Sequence, residues 1–474
     1  MGYQTSAGLT TSSTARQPGM PLPFQISVAD PEDPAENGSS GKVLFAILFW
    51  FGLATSLELW WLDTPDRSLA TPADVLVGIG RITGMIAGFL LLVQVLLMSR
   101  VGWLERWTGS HTLLIWHRQI GVYLLLALLA HVGFIVVGYA LGLHSSIFAT
   151  GWTVVATYPA MISATVATGL MIAIGLLAIR AIRRLMPYEL WYYLHLTSYV
   201  ILIASYGHQF ATGQELMTDG FGRWYWIGLY LLVLQCLAWG RVIGPTVLNL
   251  RHRLSVAEVV SEGAGMISIY ITGRRLSELN VRAGQYFRWR FIARRCWWQA
   301  HPFSLSEAPN GRWLRLTVKI VGDHTYDLAR LPPGIRVFAE GPSGVFTAAR
   351  QRCSKALLIA GGSGIAPIRA LLEELPTGAI VLYRTRSEEE LLFRDELNWL
   401  AGELNAQVHY VVGGRDDKGV REVFTPRGLR RLVPDVRHRD VYLCGPSSLV
   451  DAAVGTLLKM RVPREQMHLD PFEF

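Results

Sequence analysis

The chain of 474 residues has only four cysteines. Cys236, Cys296, Cys353 and Cys444 are scattered, so there is no CxxC zinc pair, no CxxCH attachment site and no ferredoxin-type cluster spacing. Acidic residues are also the minority, 36 against 44 Lys and Arg, for a net charge of +8. No compact basic motif accompanies that surplus, so no nucleic-acid partner is expected. No calcium-binding loop is visible, and no built-in calcium switch is expected. Residues 1–41 lack apolar periodicity and are rich in Ser, Thr, Gly and Pro, with acids at Asp30, Glu32, Asp33 and Glu36. They are expected to form a disordered cytoplasmic tail. No basic start followed by a short apolar run appears there, so no cleaved signal peptide is expected.

What the chain has in abundance is apolar sequence, 51% of residues. It is concentrated between about 43 and 248, in six spans at roughly 43–62, 74–98, 113–142, 152–179, 190–211 and 224–248. Arginines collect in alternate loops. Arg100, Arg106 and Arg118 flank the second, Arg180, Arg183 and Arg184 the fourth, and Arg251 and Arg253 follow the last span. Arg67 and Arg223 in the other loops are balanced by Asp63, Asp66, Glu215 and Asp219. The positive-inside rule then predicts a multi-pass protein of the cell membrane, in contact with lipid, with both termini cytoplasmic.

Two of these spans carry histidine pairs. His117 and His131 are 14 residues apart in the third, and His195 and His208 are 13 apart in the fifth. Ionisable groups inside a membrane are costly and usually functional. At a rise of ~1.5 Å per residue each pair is spread roughly 20 Å along its helix. Both spans run from inside to outside, so His117 faces His195 at the inner level and His131 faces His208 at the outer level. That pattern suits two stacked haems, held noncovalently, with both axial positions filled and no open site on the iron. Spacing of 14 returns to within about 40° of one helix face, but 13 misses by about 140°. A local distortion of the fifth span, near Gly207, is therefore expected. The bland alternative is that each histidine is a satisfied polar residue of a helix bundle. His111, His144 and His252 sit at span ends and read as interfacial. Arg81, inside the second span near its outer end, either snorkels or meets an anion: a haem propionate, or an acceptor or product at the outer haem.

After Leu254 the texture changes to short alternating runs: Ser255–Val260, Met266–Thr272, Gln285–Phe291, Trp313–Val321 and Ile335–Glu340. They predict a small antiparallel barrel. Within it His301, Pro302, Phe303 and Ser304 offer an aromatic and a hydroxyl to a flat ring system. From Lys355 the pattern is strand, loop, helix, repeated, which predicts a doubly wound α/β sheet. Its strands fall at Ala356–Ala360, Ala379–Tyr383, Gln407–Val412 and Asp440–Cys444. Gly361, Gly362, Ser363 and Gly364, followed by Pro367 in a first helical turn, suit a pyrophosphate at a helix N-terminus. The same glycines could form an ordinary tight turn. Arg384 and Arg386 at the next strand end suit a 2′-phosphate, hence NADPH over NADH, with a solvated helix start as the alternative. Cys444 and Gly445 follow the last of these strands, and no base stands near Cys444 in sequence to make it a nucleophile.

The chain resembles the membrane NADPH oxidase and ferric reductase superfamily over nearly everything after residue 41. The resemblance rests on the two histidine pairs, on His301–Ser304, on Gly361–Pro367 and on Cys444–Pro446. It implies four parts: a tail over 1–41, a six-span haem domain over 42–250, an FAD-binding β-barrel over 251–350 and an NADP-binding α/β domain over 351–474. It implies FAD, two b-type haems and NADPH as cofactors. It further implies that Gly284, Gln285 and Tyr286, the Lys319–Thr325 stretch with Gly322, and Gly341–Gly344 line the flavin and its phosphates. Cys444 would lie near the nicotinamide, and Phe474 would cover the flavin ring. Electrons would pass from cytosolic NADPH to a small acceptor outside, oxygen or a ferric chelate. Arg81 matches the oxidases in placement, but Ile135 stands where many of them carry a further histidine. Two other classes compete: a membrane-anchored flavin reductase without haem, and a transporter with a regulatory nucleotide domain.

Overall fold

The computed structural model describes residues 38–62, 69–213 and 220–472. The first 37 residues of the expected tail lie outside that range, and the chain is already helical from Gly38. Four helices open the chain: α1 (Gly38–Leu62), α2 (Pro72–Leu97), the short α3 (Gly102–Thr108) and α4 (Ser110–Gly142). The start of α2 is fixed by a capping box. Asp74 N donates to Thr71 Oγ1 at 3.2 Å, and Thr71 N donates to the Asp74 carboxylate at 3.0 Å. Helices α2 and α4 pack through glycines. A Cβ on Gly80 would lie 2.8 Å from Ile135, and one on Gly138 would lie 2.8 Å from Val77. Small residues let helix backbones approach where lipid offers no hydrophobic drive.

The sequence predicts six spans, the fifth of them distorted, and the structure shows part of this. Among the described residues four helices are long and apolar enough to cross a bilayer, and five if α5 (Ile147–Thr157) and α6 (Met161–Leu177) count as one. Those two are bent by 118° at Tyr158–Ala160, where Pro159 has no N–H to donate and Ala160 is left-handed at φ 60°. The fifth expected span is broken too, into α7 (Tyr188–Leu196) and α8 (Ser198–Thr212). The break is at Thr197, whose hydroxyl donates to Leu194 O at 2.7 Å. The distortion expected near Gly207 is thus ten residues earlier, directly after His195, and Gly207 lies inside a regular helix. The last span, α9 (Phe221–Ala238), continues through one wide turn at Trp239–Ile243 into α10 (Gly244–His252). Pro245 lacks the N–H that would bond Arg241 O, and the helix widens before it.

Two three-stranded antiparallel sheets follow, where one barrel was expected. They comprise β1 (Ser255–Gly263), β2 (Met266–Thr272), β3 (Tyr286–Phe291), β4 (His301–Ser304), β5 (Leu314–Lys319) and β6 (Val337–Ser343). The orders are β1-β2-β5 and β4-β3-β6. Single bridges at Ser255–Arg336 and Leu305–Leu316 join them around a core that includes Ile269, Phe287, Trp289 and Leu316. Helix α10 enters this core. Leu248 packs on it, and Asn249 exchanges hydrogen bonds with the Ala339 backbone at 2.7 and 2.9 Å.

The final lobe is a parallel sheet of β7 (Lys355–Gly361), β8 (Ile380–Thr385), β9 (Gln407–Val412), β10 (Arg439–Pro446) and β11 (Met467–Phe472), in the order β11-β10-β7-β8-β9. Strand β11 was not expected. Its Pro471 is tolerated because the strand lies at the sheet edge. A cluster of charges ties this lobe to the preceding one. Arg315 of β5, fully buried, meets Glu396 at 2.9 Å and Glu262 at 3.2 Å, with Glu307 at 3.7 Å. Arg369 meets the same Glu396 at 2.9 Å and also pairs with Glu373.

Candidate functional site

The four histidines come together in two pairs. The rings of His117 and His195 are 5.9 Å apart, and those of His131 and His208 are 6.4 Å apart. A metal–imidazole bond of about 2.0–2.1 Å on each side, plus about 1.1 Å from nitrogen to ring centre, calls for centres about 6 Å apart. Both pairs therefore fit an iron between two imidazoles. The His131 and His208 rings are oriented through their Nδ1 atoms. His131 Nδ1 is 2.7 Å from Gly80 O, to which it donates, and His208 Nδ1 is 2.9 Å from Thr212 Oγ1. Such contacts fix the tautomer and leave Nε2 for a metal. The inner pair is held differently. His195 stacks on Trp191 at 5.1 Å, and Arg183 lies over the same Trp191 ring. Among the described residues His117 Nδ1 is buried without a hydrogen-bond partner, as an atom that meets a bound group would be. Gly84 was not picked out from the sequence. A Cβ there would be 2.6 Å from His131 Nδ1, so only glycine leaves room for the ring.

Arg81 follows Gly80 directly and so lies at the level of His131 and His208. Its guanidinium and Tyr158 are both within hydrogen-bonding reach of Tyr139. The two tyrosine rings stack at 6.3 Å. Ile135 packs on Gly80 beside them, so an aliphatic side chain fills that place.

The expected flavin residues meet in the β4-β3-β6 sheet. Ser304 is opposite Tyr286, and Phe303 is opposite Phe287. His301 stacks on Phe303 at 6.1 Å, and Trp289 Nε1 donates to Phe303 O at 3.0 Å, which holds Pro302 and its neighbours extended. Gln285 Nε2 donates to Gly344 O at 3.2 Å, and Gly341 at φ 146° lies against Phe287. Lys319 ends β5 in the other sheet, and Gly322 and Thr325 follow it. Thr325 Oγ1 accepts from Val321 N and Gly322 N to cap an exposed helical turn.

This sheet reaches the membrane helices through residues that the sequence did not single out. The Tyr286 hydroxyl bonds Ser110, the first residue of α4. Ser110 and His117 are seven positions apart, about 10 Å along the helix. Glu105 of α3 hydrogen-bonds Ser343, and burial raises its carboxyl above the usual range. Arg100 pairs with Glu340, and burial, with Arg288 and Arg241 nearby, lowers its guanidinium to about 10.

In the parallel sheet the strand order reverses between β7 and β10, and ligands bind at the carboxyl ends beside such a switch point. Gly361–Gly364 and Cys444–Pro446 meet there. A Cβ on Gly364 would be 2.3 Å from Cys444 O, and Gly445 takes φ 153° beside Gly361. Ser363 lies in the same turn. Helix α11 (Ile365–Glu374) follows, with Pro367 in its first turn. The Cys444 side chain is buried inside the sheet. Burial, and then Asp470, holds its thiol well above the ordinary range, so it is no nucleophile at neutral pH. Asp470 itself is raised to about 6 by burial. Arg384 is half-buried and donates to Gly413 O at 3.4 Å, whereas Arg386 is exposed. Phe474 lies outside the described residues.

Apolar helices long enough to cross a membrane are thus followed by two three-stranded sheets and a parallel-sheet lobe. Three family models match in the same order. Residues 83–206 match the ferric reductase-like transmembrane component, 252–346 an FAD-binding domain and 358–455 an oxidoreductase NAD-binding domain. That is the architecture of the NADPH oxidase and ferric reductase superfamily.

Among curated relatives, the ferredoxin reductase component of 3-ketosteroid-9-alpha-monooxygenase from Mycolicibacterium smegmatis is 28% identical over 46% of this chain and 65% of its own length. The same component from Mycobacterium tuberculosis is 27% identical over 41% of this chain and 56% of its own. The chain thus spans 56–65% of these relatives. The solved FAD/NAD-binding domain of nitric oxide dioxygenase from Vibrio cholerae is 23% identical, at a TM-score of 0.39, over 46% of this chain and 98% of that one.

Proposed function

We propose that the protein carries electrons from cytosolic NADPH across the membrane to an acceptor outside, with oxygen, reduced to superoxide, as the favoured acceptor. The observation that carries this reading is the pair of histidine couples, inner and outer, each at the separation an iron requires. When bound, nicotinamide supplies hydride, FAD divides the electron pair, and two b-type haems pass single electrons onward.

The chain's own residues hold these groups. His117 with His195, and His131 with His208, would each hold one haem iron, which would supply single-electron transfer there. Gly361–Gly364 and the start of α11 cradle a pyrophosphate, and exposed Arg386 suits the 2′-phosphate of NADPH. Ser304 and Tyr286 face one another across β3 and β4, where a flavin ring is oriented. The contact between Tyr286 and Ser110 sets the flavin sheet against the helix that carries His117. Arg81, with Tyr139 and Tyr158, presents donors at the outer level. The arginine-rich alternate loops support cytoplasmic termini. Broken membrane helices also occur in transporters, but a transporter has no use for a flavin sheet docked at a histidine pair.

Ferric chelate reduction is the second reading, with the same wiring. Ile135 favours it, because an aliphatic group stands where many oxidases have histidine. A visible spectrum of the purified protein, reduced by NADPH without oxygen and then exposed to air, tests both. Split b-type bands that collapse at once in air support the oxidase. Bands that persist until a ferric chelate is added support the second reading. A purified protein without haem bands overturns both and leaves a membrane-anchored flavin reductase.

A further inference from the structure

The segment between β3 and β4, residues 292–300, has no part in the site above. It leaves two adjacent tryptophans in the open, Trp297 57% and Trp298 40% exposed, with Ile292 beside them at 48%. The exposure belongs to a well-fixed loop. Cys296 N and Trp297 N both donate to Ala293 O at 3.0 Å, Gln299 N donates to Cys296 O, and the Cys296 side chain is buried beneath. Charge is one-sided. From Val281 to Ser306 there are five arginines (Arg282, Arg288, Arg290, Arg294 and Arg295) and no acid. Among the described residues Asp327 pairs with the loop, 3.7 Å from a mostly exposed Arg295.

The loop is rooted where the last span ends. Ile292 N donates to Arg336 O at 2.9 Å, and the next residue, Val337, donates from N to Leu254 O at 2.9 Å. Leu254 is two residues beyond the span Phe221–His252. Near the end of that helix Val247 and Leu250 are exposed. Tryptophan concentrates at the level of lipid headgroups, and arginine beside it is drawn to anionic lipid.

We propose that residues 292–300 form a membrane-surface anchor that seats Trp297 and Trp298 among the headgroups, with Arg294 and Arg295 selecting anionic lipid. Strand β4 begins at His301, immediately after the loop, so the anchor fixes the height of the flavin motif above the bilayer. This rests on the membrane component and not on the cofactor reading.

The test uses the full chain in nanodiscs of phosphatidylcholine, with or without phosphatidylglycerol, whose acyl chains are brominated near the headgroup. Bromine is expected to quench the unmodified protein more than the W297S/W298S variant, the difference coming from two of 16 tryptophans. In phosphatidylglycerol discs the same pair should be shielded from acrylamide. The R294Q/R295Q variant should lose the gain from anionic lipid, about 30-fold in loop seating for two basic side chains. An unchanged circular dichroism spectrum and gel-filtration profile serve as the folding control in both variants. Equal bromine quenching with and without the tryptophan pair, and full access of acrylamide to it, would overturn the proposal and assign the patch to a protein partner.

Discussion

At the scale of single residues, the outer histidine pair depends on a glycine as much as on an imidazole. Gly84→Val would push a branched side chain into the space of the His131 ring, whose Nδ1 is 2.6 Å from the Cβ position. The expected result is loss of the outer haem band, with the inner band kept. His131→Leu should give the same spectrum while NADPH still reduces the flavin. Loss of flavin reduction in a folded His131→Leu protein would mean that the lobes are wrongly assigned. The four histidines were legible because ionisable groups stand out in apolar sequence. Gly84 was not, because a glycine that clears a ring looks the same in sequence as one that lets two helices approach. Cys444 was legible as part of a motif, but its burial was not, since strand interiors are decided by neighbouring strands. Its thiol should resist iodoacetamide at pH 8 until denaturant is added, as followed by mass spectrometry.

Among elements, the broken fifth span shows how far spacing alone can be taken. A spacing of 13 residues required a distortion, and the structure has one, but spacing carries no information about where the helix gives way. The position was settled locally by the Thr197 hydroxyl, which competes for Leu194 O. One alanine inserted after Thr197 should turn His208 by about 100° relative to His195. The outer haem should then be lost and the inner one retained. Retention of both bands would show that the break absorbs the extra residue. The bend between α5 and α6 has a more visible cause in Pro159, yet apolar composition continues through it and gave the appearance of one span. The strands of the nucleotide lobe were read from their apolar runs, whereas β11, with His468, Asp470 and Pro471 in six residues, has no such run.

At the scale of the whole molecule, the charges between the flavin and nucleotide lobes matter most. Arg315 and Arg369 face Glu262, Glu307, Glu373 and Glu396, so carboxylates outnumber guanidiniums. Nothing in the sequence joins these six positions, because they come from both lobes. Burial raises the Glu373 carboxyl to about 7, against the pull of Arg369, with Glu307 and Glu396 adding to the rise and the Ala308 N–H opposing it. A folded-state value above the unfolded one means that the folded protein holds the proton more tightly. Glu373 therefore contributes stability in full below about 4.5, and the contribution is lost as pH rises through about 7. The thermal midpoint of flavin release should fall between pH 5 and pH 8, and fall less in Glu373→Gln. An unchanged pH slope in that variant would show that Glu373 is not the group responsible. Arg315→Ala leaves three carboxylates facing a buried gap and should cost about 3–5 kcal/mol, read from the same midpoint. The cluster also bears on how such a chain can be recombined. A cut between the lobes divides a shared set of charges, so each half would need the matching half of its own ancestor. A cut at Arg253, after α10, leaves that set whole and divides instead the contacts of Asn249 with Ala339 and of Arg100 with Glu340. The two lobes then travel as one part whose new membrane partner must match at those positions.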